Sequence, residues 1–93
     1  MDITVNVYVG ADNATGTIDT DKIAAIAARR HDGFTILPAL GYWQGQSEPS
    51  VMIVIADDSD KISATVSDLG RELAQDAIAV QTVNPLTFVS DYR

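Results

Sequence analysis

Residues Ile3, Val5, Val7 and Val9 alternate with Thr4, Asn6, Tyr8 and Gly10, a period of two that predicts a strand with one aliphatic and one polar face. The stretch after it, GADNATGTIDTD, is rich in turn-forming residues and predicts a loop. Asp19 or Thr20 then caps a helix that runs to about His31, with Ile23, Ile26 and Ala27 on one stripe and Gly33 as its left-handed end. A second strand covers Phe34 to about Tyr42. It contains Pro38, which donates no ladder bond, so it belongs at an edge or carries a bulge. Val51 to Ala56, VMIVIA, is apolar on both faces and fits the middle of a sheet. Asp57, Asp58 and Ser59 open a second helix, in which Ile62, Val66, Leu69 and Leu73 recur at helical spacing as far as Asp76. Ala77 to Val83 reads as a fourth strand and Asn84-Pro85 as a break. The tail LTFVSDYR alternates weakly, a pattern that suits a fifth strand in this sheet or a neighbour's.

The order strand, helix, strand, strand, helix, strand predicts an α+β ferredoxin-like domain spanning residues 1–93, with a four-stranded antiparallel sheet in spatial order 4-1-3-2. Right-handed crossovers place both helices on one face. The helix-side core is then Ile3, Val5, Val7, Val9, Ile23, Ile26, Ile62, Val66, Leu69 and Leu73. Tyr8, Asn6 and Thr4 fall on the opposite face, beside apolar residues of the other strands. That face needs cover, either from a second copy in a homo-oligomer or from the tail folding back.

Composition narrows the partners. Thirteen acidic against six basic residues give a net charge of −7, which repels duplex nucleic acid and anionic lipid and leaves basic proteins as macromolecular partners. There is no cysteine, so thiolate metal sites and cysteine nucleophiles are excluded. The first residues lack the pattern of a signal peptide and no run is long enough to span a bilayer, which makes the cytoplasm the expected location.

Catalytic and metal constellations are missing from the pattern. Asp12, Asn13, Asp19 and Asp21 do not follow the ligand order of a calcium loop and read as turn and cap residues. Asp57 and Asp58 read as acids favoured at a helix start. Arg29, Arg30 and His31 complement the negative end of the first helix, and are also the one dense basic patch. His31 is the sole histidine, and no serine stands in a nucleophile-elbow context, so no catalytic residue, metal or cofactor is assigned.

The remaining candidate is the loop Gly41 to Pro49, GYWQGQSEP, which holds the only Trp. Tyr42 and Trp43 offer faces on which a base can stack, with Gln44, Gln46 and Ser47 to read its edge. Tyr8 lies on the open face, and Arg29, Arg30, His31 or Arg71 meet a phosphate if association brings one close. The competing reading has both rings simply packed beneath the loop or across an interface.

On Gly33, Thr35, Gly41, Trp43 and Gly45 the chain resembles an uncharacterised bacterial family of small ferredoxin-like domains, in which a Gly-x-Thr segment leads into a Gly-x-Trp-x-Gly turn and an apolar strand. The overall arrangement also looks like the PII-type signalling proteins, oligomers with nucleotide sites between subunits. Their longer loop and phosphate-binding motifs have no counterpart here. These resemblances imply an intersubunit ligand cleft and assign no site residue. The expectation is a non-catalytic oligomer that binds a small anionic or nucleotide-like ligand, for example a phage-encoded sponge of a host signal. An acidic interaction or inhibitor module and a small ferredoxin-like enzyme are the alternatives.

Overall fold

The computed structural model describes residues 2–90. Strand β1 (Asp2–Gly10) is followed by helix α1 (Thr20–Ala28), strands β2 (Thr35–Trp43) and β3 (Gln46–Asp58), helix α2 (Ser59–Glu72) and strand β4 (Ala79–Val83). The sheet has the order β2-β3-β1-β4, and every neighbouring pair is antiparallel. This is the ferredoxin-like α+β arrangement that the alternation of strands and helices predicts.

Burial follows the two periods. Val5, Val7 and Val9 of β1 and Val51, Ile53 and Ile55 of β3 are buried, and they meet Ile23 and Ile26 of α1 and Ile62 and Leu69 of α2, with Leu73 just beyond. Ile3 and Val66, expected in this core, lie partly buried against it. Pro38 sits on edge strand β2, where a missing N–H facing outward breaks no ladder. On the other face β1 contributes Thr4, Asn6, Tyr8 and Gly10, and β3 contributes Met52, Val54 and Ala56. The backbone N–H of Leu86 donates to Thr4 Oγ1 at 3.1 Å, and Thr4 is buried. The chain after β4 therefore crosses one end of this face, while Tyr8 and Leu37 farther along stay 39% exposed. Residues 85–90 form no strand, and Asp91, Tyr92 and Arg93 of the expected fifth strand lie outside the described residues.

Both helices stop earlier than periodicity indicates. Asp19 caps α1, its Oδ1 accepting from the Lys22 N–H at 3.0 Å. The C-terminal turn then tightens, with the N–H groups of Arg29 and Arg30 donating to the carbonyls of Ile26 and Ala27. Gly33 is not the left-handed end, because Arg29 caps the helix in right-handed geometry and the glycines with positive φ are Gly16 and Gly45. Helix α2 ends at Glu72 because Ala74 takes φ 50°. The N–H of Gln75 donates to the Gly70 carbonyl at 2.8 Å, and that of Ala74 to the Arg71 carbonyl, which is a Schellman closure built on alanine. Four residues of the expected helix thus become a turn, and β4 starts at Ala79.

The largest departure is between β2 and β3. Pairing continues through Tyr42↔Ser47 and Trp43↔Gln46, so the expected loop is two strand ends joined by Gln44 and Gly45 alone. Both have positive φ, 50° and 79°, as a two-residue hairpin turn whose twist matches its strands requires. The hairpin projects past the rest of the sheet and contributes to a long axis of 46 Å against 24 and 21 Å for the other two.

Candidate functional site

Strand β1 ends at Gly10, opposite Ser50, so residues 46–49 of β3 have no strand on that side. The gap is a cleft of about 580 Å³. Its floor is the end of β1, one wall is the hairpin with Tyr42, Trp43 and Glu48, and the other is the turn Gln75 to Ala77. Register puts Tyr8, Gly10, Ser50, Glu48, Gly41 and Trp43 on the sheet face away from the helices. Two glycines give the cleft its room. A Cβ on Gly10 would stand 3.4 Å from both Glu48 Oε1 and Gln75 Oε1, and one on Gly41 would stand 3.7 Å from Glu48 Cγ.

The walls differ in how their polar groups are used. Gln75 is committed: its Oε1 accepts from the Gly10 N–H at 3.2 Å, and its Nε2 donates to the carbonyls of Ala11 at 2.8 Å and Leu73 at 3.2 Å. It pins the turn after α2 to the end of β1. Glu48 has no hydrogen-bond or ion-pair partner among the described residues. Tyr42 and Trp43 are each 71% exposed, so neither ring packs beneath the hairpin. Tyr8 donates from its hydroxyl to Gln81 Oε1 at 3.2 Å, which holds its ring over the face toward β4.

The basic residues do not line the cleft and are bonded to groups of α2 and the end of β3. His31 is buried; its Nδ1 is 2.7 Å from Asp57 Oδ2 and its Nε2 is 2.7 Å from Thr65 Oγ1. Because an ionised carboxylate only accepts, Nδ1 carries a proton toward Asp57. That hydrogen bond, together with one from the Asp58 N–H, holds the Asp57 carboxyl below its ordinary range. Arg30 and Arg71 each reach Asp68 at 2.6 Å, and Arg29 bridges Asp68 and Glu72. The Asp68 carboxyl is lowered chiefly by Arg30 and that of Glu72 by Arg29, while Arg29 is raised, first of all by its bond to Glu72. Asp57 and Gln46 are eleven residues apart on β3, roughly 35 Å along an extended strand. Within one chain, then, Tyr8, Tyr42 and Trp43 come together at the cleft, and Arg29, Arg30, His31 and Arg71 do not join them. Gln44 and Gln46 are exposed at the hairpin tip.

No family profile matches the chain, and no curated protein is similar to it in sequence. Solved structures do match. A DUF3240 family protein from Shewanella baltica OS155 aligns with TM-score 0.66 over 96% of this chain and 94% of its own, at 10% identity. CPII from Thiomonas intermedia K12, a nitrogen regulatory PII-like protein solved with ADP, AMP and bicarbonate, aligns with TM-score 0.61 over 96% and 98%, at 10% identity. A phage SAM lyase in its apo state aligns with TM-score 0.50 over 98% and 91%, at 18% identity. At such identities the likeness is one of fold.

Sequence reasoning overlooked Glu48, Gly10, Gln75 and Asp76 as cleft residues. Glu48 stands in the quoted segment GYWQGQSEP, but only the strand register shows that it lies over Gly10 rather than in a loop. Gln75 carried no signal, since its part depends on where α2 stops.

Proposed function

We propose that this protein is an oligomeric small-molecule-binding protein whose hairpin cleft takes a ligand with a flat ring of the adenine-nucleoside kind. The observation that carries this reading is the 71%-exposed ring of Trp43, on the wall of a concave site and on the sheet face it shares with Glu48 and Tyr8, with the equally exposed Tyr42 bordering the cleft from the opposite face. Stacking on such faces is favourable for any base and needs no further motif. Two proteins of similar fold support the ligand class by what their names and bound molecules say: ADP and AMP in one, SAM in the other. A cleft open on one side buries too little of a ligand for tight binding. A second copy seated on the adjoining sheet face, where Tyr8 and Leu37 are exposed, closes it. Sequestration of a small adenine compound is one use of such a site.

The test is thermal-shift and calorimetric titration of the wild type and Trp43→Ala with adenosine, AMP and S-adenosylmethionine, alongside sedimentation. The reading expects an oligomer, and a rise in melting temperature that the variant loses. A monomer that no adenine compound stabilises, recovered instead with a basic protein, would favour the acidic interaction module.

A second reading, an enzyme acting on S-adenosylmethionine, is favoured by one further observation. Glu48 holds an unpartnered carboxylate in the same cleft as the aromatic rings. Chromatographic release of methylthioadenosine that falls in Glu48→Gln would establish it, and intact S-adenosylmethionine after prolonged incubation would leave binding alone.

A further inference from the structure

We infer that the hairpin cleft selects a positively charged organic ligand, with Trp43 taking a flat ring and Glu48, on the same sheet face, the cationic centre; this rests on the cleft being the ligand site.

The argument is the distribution of charge. The charged residues that line the cleft are Glu48 and Asp76, both acidic. None of the four strands contains a Lys or Arg, and neither does the chain from Asn84 to Ser90. The described cations are Lys22, Arg29, Arg30, Lys61 and Arg71. All stand on the helices or directly after α1, and none of them lines the cleft. Three of them are held by Asp68 and Glu72, while Lys22 donates to the Glu72 carbonyl at 3.1 Å and lies 3.8 Å from Asp12. A second copy that associates through the open sheet face brings its strands to the cleft, and those too carry no cation. A phosphate there would meet two carboxylates and a chain of net charge −7, with no guanidinium among the described residues that line the cleft. A sulfonium or ammonium would meet an unpaired carboxylate and the exposed ring of Trp43 on the same face, the environment that stabilises organic cations.

Four adenine compounds separate charge from ring: adenosine, AMP, S-adenosylmethionine and S-adenosylhomocysteine. The last two differ by the methyl group that makes the sulfur cationic. Calorimetry on the wild-type protein should give S-adenosylmethionine about tenfold or more tighter than S-adenosylhomocysteine, with AMP the weakest of the four. Glu48→Gln should erase the gap between the two sulfur compounds and leave adenosine affinity unchanged. Glu48 is exposed and unpartnered, so the melting temperature of the variant should match the wild type. AMP binding as tightly as S-adenosylmethionine, or a gap that survives in Glu48→Gln, would overturn the charge selection while leaving the cleft as a site. Failure of all four to bind wild type would overturn the cleft reading and the selection together.

Discussion

The helix layer and the hairpin use their polar and aromatic groups in opposite ways. Beside the helices His31 is bonded to Asp57 and Thr65, and three arginines are bonded to Asp68 and Glu72, every contact within 3.3 Å. At the hairpin end Tyr42, Trp43 and Glu48 face solvent without partners. A group already bonded inside the chain must lose that bond before it can hold a ligand, whereas an unpaired one loses only water. The histidine and arginine cluster, the richest chemistry in the sequence, is thereby tied up in folding, and the plainer hairpin is left for recognition.

Breaking the tied layer should have the largest effect. His31→Ala removes the partner of both Asp57 and Thr65 in a buried setting and should cost about 2–3 kcal/mol of stability, read from the urea midpoint. For a chain of this size the melting temperature should fall by roughly 10 °C or more. Adenine-compound affinity measured well below the new melting temperature should stay within twofold of wild type.

Trp43→Ala should do the converse. Stability should move by less than about 0.5 kcal/mol because the ring is exposed, while ligand affinity falls by about tenfold or more through lost stacking. A large drop in melting temperature would mean that the ring is structural after all.

Ala74→Gly sharpens the comparison by strengthening the cleft's far wall. Glycine accepts the left-handed conformation that Ala74 adopts at φ 50°, so chemical denaturation should show a gain of about 1 kcal/mol.

The smallest expected effect is in acid. Asp57, Asp68 and Glu72 have carboxyls lowered in the fold. Their contribution is therefore fully present above about pH 4, where the unfolded chain's carboxyls titrate, and is lost as pH falls toward the folded values. Melting temperatures should hold steady down to that range and then decline. Asp68→Asn should make the decline shallower, because one of the groups that must be protonated is gone.

Much of this was legible in the sequence, for reasons the residues make clear. Val5, Val7 and Val9 alternate cleanly, VMIVIA has no polar position to hide, and Pro38 restricts its strand to an edge, so strand order and helix face follow. The ends of elements were harder. The span of α2 depended on Ala74 taking a conformation alanine seldom takes. The hairpin depended on Gln44-Gly45 turning in two residues, a weaker signal than Asn-Gly, amid a polar stretch that looks like loop. Tyr42 and Trp43 were identifiable because exposed aromatics are conspicuous in a chain with one Trp. Glu48 was not, because which carboxylate faces a cleft is a matter of register.

Trp43 is the only tryptophan in the chain, so its fluorescence reports the cleft and nothing else. Titration of the wild-type protein with S-adenosylmethionine should give a saturable change in tryptophan emission whose midpoint equals the calorimetric Kd. Calorimetric binding of that compound with Trp43 emission unchanged through saturation would place the ligand elsewhere and contradict the account.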